Sequence, residues 1–207
     1  MRIQVTETAS PKGKSYRWVP IVLFATAGLP VPLASIMYFT GSMVPQGRSN
    51  KGTLVVPPLM VQKMELRLQQ PGEGDVEGRW ELMVFGRDNC ASQSCQEILY
   101  KTHQVNVALG READRVVRRY INIGGAMNEA AVKEVQTSYP RLHLSYASEL
   151  KLEEFLDKVA DAAQTVNGNF VFVADPLGNV MMYYTQDNSG GDMLDDLKKL
   201  LKVSNIG

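Results

Sequence analysis

Only two cysteines occur in the 207 residues, Cys90 and Cys95, and only two histidines, His103 and His143. They lack the Cys/His spacing of a zinc module, whose ligands come in closely spaced pairs, and that speaks against such a site. Excess charge of either sign is also missing, since 22 Lys and Arg balance 22 Asp and Glu. Without a basic surface bias there is no electrostatic footprint for nucleic acid. No glycine-rich phosphate loop, internal repeat or low-complexity tract is present. What remains in a chain of this length is one ordinary domain with appendages.

The longest absence is of charge altogether, over residues 18–39. A helix of that length rises about 33 Å, enough to cross the hydrocarbon core of a bilayer. Pro20 lies near its start, and Pro30 and Pro32 lie inside it, which predicts a kink. Trp18 and Tyr38 are placed as interfacial anchors. A cleaved signal peptide would end its apolar run in a small-x-small site, whereas this run ends in FTGSMVP. Lys12, Lys14 and Arg17 crowd the N-terminal flank, while Arg48 and Lys51 stand further from the other end. The bias of positive charge therefore predicts a cytoplasmic N-terminus, with the C-terminal domain outside the cytoplasm, where cysteines can be oxidised. The expected organisation is a cytoplasmic tail at 1–17, a transmembrane anchor at 18–39, a linker at 40–60 and a folded domain at 61–207. Glycine and proline set the linker reading.

Within the domain, the stretch GRWELMVFGRDNCASQSCQEILYKTHQVNVALG holds both cysteines. Residues 80–86 form a short apolar run between Gly78 and Gly86, which reads as a buried strand. From Gln96, the residues Ile98, Leu99, Thr102, Val105 and Leu109 recur at helical spacing until Gly110 ends the pattern. Cys90 and Cys95 thus fall in the loop and first turn of a helix, where free N–H groups and the helix dipole favour a thiolate. Arg87 adds to that effect and Asp88 opposes it. A thiolate pair there serves redox chemistry or soft-metal binding, and a structural disulfide closing a small loop is the bland alternative.

Before this stretch, Met64, Leu66 and Leu68 alternate with polar residues, and PGEGDVEG reads as a turn into the 80–86 strand, a predicted hairpin. After it come a strand at 116–123, a helix at 128–139 capped by Asn128, a strand at 142–146 and a helix capped by Ser148. That helix carries its apolar stripe on Leu152, Phe155, Leu156, Val159 and Ala163. Residues 170–174 and 180–184 form a hairpin around DPLGN, and 192–201 a closing amphipathic helix. Alternating strands and helices require parallel crossovers. The fold class is α/β, a thioredoxin-like mixed sheet with flanking helices, the last hairpin expected at its antiparallel edge.

Two motifs, GRWELMVFGRDNC followed by a second cysteine and NFVFVADPLGNVMMYY, resemble the Sco/SenC branch of the thioredoxin superfamily over residues 61–207. The segments NKGTLVVPP, ADPLGNVMMYY and DDLKKLLKVSNIG are also similar to small single-pass proteins encoded beside bacterial cytochrome c oxidase. The resemblance implies a bacterial inner-membrane protein with a periplasmic domain, working with a respiratory oxidase subunit or other assembly factors. Sco proteins deliver copper to, or reduce the cysteines of, the oxidase copper centre. That would make Cys90 and Cys95 both the catalytic pair and the ligands of Cu(I).

The chain departs from that pattern twice. Sco proteins bind copper through Cys-x-x-x-Cys and a histidine before the final hairpin; here the pair reads CASQSC, and Asn167 stands at the histidine position. His103 lies eight residues beyond Cys95, about 12 Å along one helix, and is expected on the helix surface. His143 alternates with Leu142 and Leu144 in a strand. One of Met181 and Met182 is expected in the core. The proline that precedes the final hairpin in thioredoxin-type reductases is missing from VNGNF, and residues 84–90 lack the peroxiredoxin setting. The leading expectation is a Sco-like thiol or copper assembly factor. The alternatives are a general periplasmic thiol-disulfide oxidoreductase and a non-catalytic docking module with a structural disulfide.

Overall fold

A computed structural model describes residues 18–40, 50–70, 76, 78–159 and 169–204. The chain divides into two compact units, residues 1–48 and Ser49–Gly207.

In the first unit, α1 (Val19–Gly28) and α2 (Pro30–Thr40) meet at Leu29. The break falls where Pro30 and Pro32 lack the N–H groups that would continue the ladder. Leu29 still donates to Ala25 O and Leu33 to Leu29 O, at 3.0 and 3.2 Å, so the two segments run on from one another. Val19–Met37 is long and apolar enough to cross a membrane, with mean hydropathy 1.9 and none of it buried within the protein. The interruption falls at Leu29, beside the prolines where a kink is expected.

The second unit is built on a seven-stranded sheet in the order β1-β7-β6-β3-β4-β5-β2. Its strands are β1 (Thr53–Met60), β2 (Arg67–Leu68), β3 (Trp80–Gly86), β4 (Val116–Ile123), β5 (Leu142–Ala147), β6 (Phe170–Ala174) and β7 (Asn179–Tyr184). The helices are α3 (Gln93–Ala108), α4 (Glu129–Ser138), α5 (Glu149–Leu156) and α6 (Gly190–Val203). β3, β4 and β5 are parallel, and β6 runs antiparallel to β3. Because side chains alternate across the pleat, β3 sends Leu82 and Val84 to one core with Ile98, Leu99 and Leu197, and Met83 and Phe85 to the other with Phe155 and Phe172. Burial on both faces explains why β3 reads as an unbroken apolar run.

Three sequence expectations need correction. The stretch read as linker to residue 60 supplies β1, which pairs with β7. Pro57 and Pro58 hid it, and an edge strand tolerates them: the register jumps from Leu54↔Met182 to Leu59↔Val180, so the residues between bulge away from the ladder. Its start is held by the buried Asp196 carboxylate, which accepts from the backbone N–H groups of Lys51 and Gly52 at 2.6 and 2.9 Å. Gly52 is required there, since a Cβ would lie 2.6 Å from Tyr184 Cε1. Next, β2 and β3 do not form the hairpin expected before the cysteines: among the described residues β2 pairs with β5 at the far edge, whereas β3 lies at the centre. Residues 71–75 of the expected turn lie outside the described residues. Finally, the β6–β7 hairpin is not the sheet edge, because β1 covers β7.

The remaining elements match closely. Asn128 Oδ1 accepts from Ala131 N at 2.8 Å, the expected cap of α4. Asp175 Oδ1 accepts from Leu177 N and Asn179 N, and Gly178 has φ +82°, which fixes the DPLGN turn. α5 ends at Leu156, shorter than expected, and Ala163 lies outside the described residues.

Candidate functional site

Cys90 and Cys95 form a disulfide with Cα atoms 5.2 Å apart, inside the range such a bond requires. The sequence supplies both halves of the frame. Cys95 sits in the first turn of α3, where its N–H donates to the N-cap Ser92, at 3.1 Å to its carbonyl and 3.3 Å to its Oγ. Cys90 closes a tight turn in which Asp88, Asn89 and Cys90 all have positive φ, at 52°, 57° and 61°. Left-handed backbone costs roughly 1–2 kcal/mol per non-glycine residue, Asn and Asp least. Such a turn persists only if its surroundings hold it.

Asn122, at the end of β4, is what holds it. Its Oδ1 accepts from Asn89 N and from the Tyr120 hydroxyl, both at 3.1 Å, while its Nδ2 donates to Gly125 O at 2.9 Å. Asn89 Oδ1 in turn accepts from the N-cap backbone of α4 at Asn128. Burial pushes the Tyr120 hydroxyl well above its ordinary range, against the opposing pull of the Cys90 backbone N–H. The hydroxyl therefore stays protonated and able to donate. Gly86 completes the fit, because a Cβ there would lie 2.8 Å from Cys95 Sγ and 3.0 Å from the Tyr120 hydroxyl.

Neither Asn122 nor Asn169 is evident in the sequence. Asn169 immediately precedes β6, is buried, and its Nδ2 donates to Ser94 Oγ at 2.9 Å. The segment entering the last hairpin thus meets the start of the cysteine helix, as the fold reading expected. Asn167, read at the histidine position, lies outside the described residues. Arg87, expected to add to the field at the sulfurs, forms an ion pair with Glu149 at the start of α5. Asp88 lines a cavity of about 390 Å³ together with Asn89, Cys90, Glu134 and Tyr139. Cys90 faces that cavity, whereas Cys95 is wholly buried at the helix start.

The histidines are elsewhere. His143 pairs with Arg119 in the β4–β5 register, four residues before the strand ends at which the cysteines gather, or about 13 Å along the sheet. His103 is half-buried, with Nδ1 3.3 Å from Arg118 Nη1, rather than the surface residue expected. Both line a different cavity. Met182 is the core methionine, 3.1 Å from the Tyr184 hydroxyl. Among the described residues no cluster of three or more His, Cys, Asp or Glu side chains is placed to hold a metal ion. Among the described residues the donors at this site are two sulfurs joined to each other, and in that oxidised form they do not fit a resident copper centre.

A family model described as "Transmembrane-like, thioredoxin-like, C-terminal domain" matches residues 80–204. Among solved structures, yeast Sco1 with copper bound superposes with a TM-score of 0.52 at 16% identity, covering 76% of this chain and 96% of that one. The apo Sco1 protein of Thermus thermophilus gives 0.52 at 16% identity, covering 74% and 99%. BsSco, described as a member of the Sco family of cytochrome c oxidase assembly proteins with a disulfide switch, gives 0.50 at 17% identity, covering 76% and 98%. At these identities the likeness shows a shared fold, the thioredoxin-like mixed sheet that the strand order predicted. No curated protein matches the chain in sequence.

Proposed function

Because this chain belongs to the transmembrane-like, thioredoxin-like C-terminal domain family, we propose that it is a membrane-anchored thiol-handling protein. In this reading the helix at Val19–Met37 is the anchor, and the C-terminal unit faces the periplasm of a bacterium. The observation that carries the proposal is the disulfide joining Cys90, which faces a cavity, to Cys95 at a helix start. The work we assign to it is on the cysteines of a cytochrome c oxidase subunit or of another assembly factor, as the Sco-type fold and the oxidase-associated terminal motifs suggest.

The chemistry follows from the two positions. In the reduced form, the Cys90 thiolate attacks a partner disulfide from the cavity side and one partner sulfur leaves as a thiolate. Cys95 then attacks Cys90 Sγ in the mixed disulfide, which releases the second partner thiol and restores the Cys90–Cys95 bond. Two electrons pass to the partner, whose two sulfurs take up the two protons. The first turn of α3 stabilises the resolving thiolate through its free N–H groups. Asn169 and Asn122 fix the loop on either side.

We derive no step through copper. Two thiolates alone suit Cu(I), being soft donors, but give little hold on Cu(II). Anaerobic Cu(I) loading of the reduced chain is the check: one equivalent bound, and lost in Cys90→Ser, would return copper to the account as cargo. A second reading is favoured by one observation, the burial of both cysteines, at 3% and 0% exposure. It makes the disulfide a brace for a docking surface. Thiol alkylation with and without reductant separates the two: a pair that cycles is found partly reduced in growing cells, whereas a brace is found fully oxidised. A reporter fused after Gly52 tests the topology and is expected to be active outside the cytoplasm only.

A further inference from the structure

At the opposite end of the sheet from the cysteines, β4 and β5 begin beside a cavity of about 690 Å³, the size of a small-molecule site. Both histidines of the chain line it, together with Arg79, Arg118 and Arg141. Arg118 decides its character. It is 4% exposed, yet it makes no ion pair with a carboxylate among the described residues. Its Nη2 donates to Leu99 O at 2.9 Å and Thr102 Oγ1 at 3.3 Å, and Nη1 to His103 Nδ1 at 3.3 Å. Its Nε is buried and has no hydrogen-bond partner among the described residues. The guanidinium carbon lies 5.2 Å from the centre of the Tyr139 ring, a neutral partner. A cation kept out of water without a counter-charge is costly unless something supplies that charge.

We propose that this cavity binds a small organic anion, a phosphate or carboxylate carried on an apolar body, with Arg118 as its counter-ion. The charge of the wall supports an anion: the one acid among its described residues, Asp114, has a side chain 91% exposed and lies 3.8 Å from Arg141, which leaves the buried Arg118 without a counter-charge. An ion pair so exposed is screened by water and neutralises little inside the cavity. The apolar body follows from the rest of the lining, which apart from Asn106 is valine, alanine and proline with the Tyr139 ring. This inference stands apart from the cysteine chemistry and does not rest on it.

Phenyl phosphate is the probe, with phenol as its neutral counterpart, titrated into the full-length protein in detergent micelles. Since His103 and His143 are the only histidines, their ring proton signals report this cavity alone. Both are expected to shift saturably with phenyl phosphate and not with phenol. Arg118→Gln is expected to weaken binding about tenfold or more, the loss of a charge-assisted contact. Should that variant fail to fold, Arg118→Lys, which keeps the charge but loses the planar donor fork, is expected to weaken binding severalfold with circular dichroism unchanged. In nanodiscs, shifts produced by phosphatidylglycerol without added ester would assign the phosphate to a lipid headgroup, and their absence to a soluble ester. Unmoved histidine signals, equal affinity for phenol, or full affinity in the folded variants would overturn the proposal.

Discussion

Arg118 and Arg119 are neighbours on β4, but the pleat sends them to opposite faces of the sheet, where they meet opposite electrostatic solutions. Arg119 is closed: it grips Glu81 through two contacts at 3.1 and 3.2 Å and donates to Ser145 Oγ at 3.0 Å, all within the core. Arg118 is open, its hydrogen bonds going to neutral acceptors and its position facing a cavity. The contrast extends along the strand. At the far end of β4, Asn122 closes the polar groups around the disulfide on one another, whereas the near end leaves Arg118 and both histidines facing a shared space. One strand thus carries a closed polar network that fixes geometry and an open one suited to a ligand.

The largest effect that tests this contrast is on stability. Arg119→Met strands Glu81 in the core and is expected to cost about 3–5 kcal/mol. Arg118→Met strands no charge and is expected to cost about 1 kcal/mol or less, or to stabilise. Equal losses in urea unfolding of the two variants would erase the distinction. Next comes the disulfide: replacing both cysteines by serine is expected to cost about 2 kcal/mol for so short a loop. A loss near zero would mean that the closed end is held by Asn122 and its partners alone.

Asn122→Ala comes third. It leaves Asn89 N and the Tyr120 hydroxyl without their acceptor and is expected to cost roughly 1–2 kcal/mol. It should also speed reduction of the disulfide by a small thiol, because the strained turn is released; an unchanged rate would show that the turn holds itself.

The smallest effect is on pH dependence, at the open end. Burial lowers the pKa of both histidines from 6.5, helped by Arg118 at His103 and by Arg119 and Arg79 at His143. The unfolded chain therefore takes up protons at a pH where the folded protein does not. Stability is full above about 6.5 and falls as the pH drops through that value towards the lowered ones. Replacing both histidines by glutamine should flatten the slope, and an unaltered slope would place its origin elsewhere.

The site was legible in the sequence where the signal is local. A buried strand followed by CASQSC and a helical stripe placed the sulfurs correctly, and DPLGN fixed the last hairpin through its own turn chemistry. Contacts set by pairing at long range were not legible. β1 carries two prolines because its bulge spares it from the ladder there, so it reads as a linker. β2 is two residues long, and nothing in them specifies β5 as partner rather than β3. Asn122 and Asn169 are single polar residues beside apolar runs, and only the fold brings them to Asn89 and Ser94. The alternation of Arg118 and Arg119 is visible, but the positions of Glu81 and the cavity that distinguish them are not.

The central claim is that Cys90 and Cys95 exchange disulfides with a partner. Its most direct test is Cys95→Ser in the full-length chain expressed in its own membranes, where Cys90 is left without its resolving thiol. The account predicts a covalent adduct on a non-reducing gel that collapses with reductant, depends on Cys90, and contains an oxidase subunit or an assembly factor. A variant that stays a monomer under those conditions, while oxidase activity remains at the wild-type level, would contradict it.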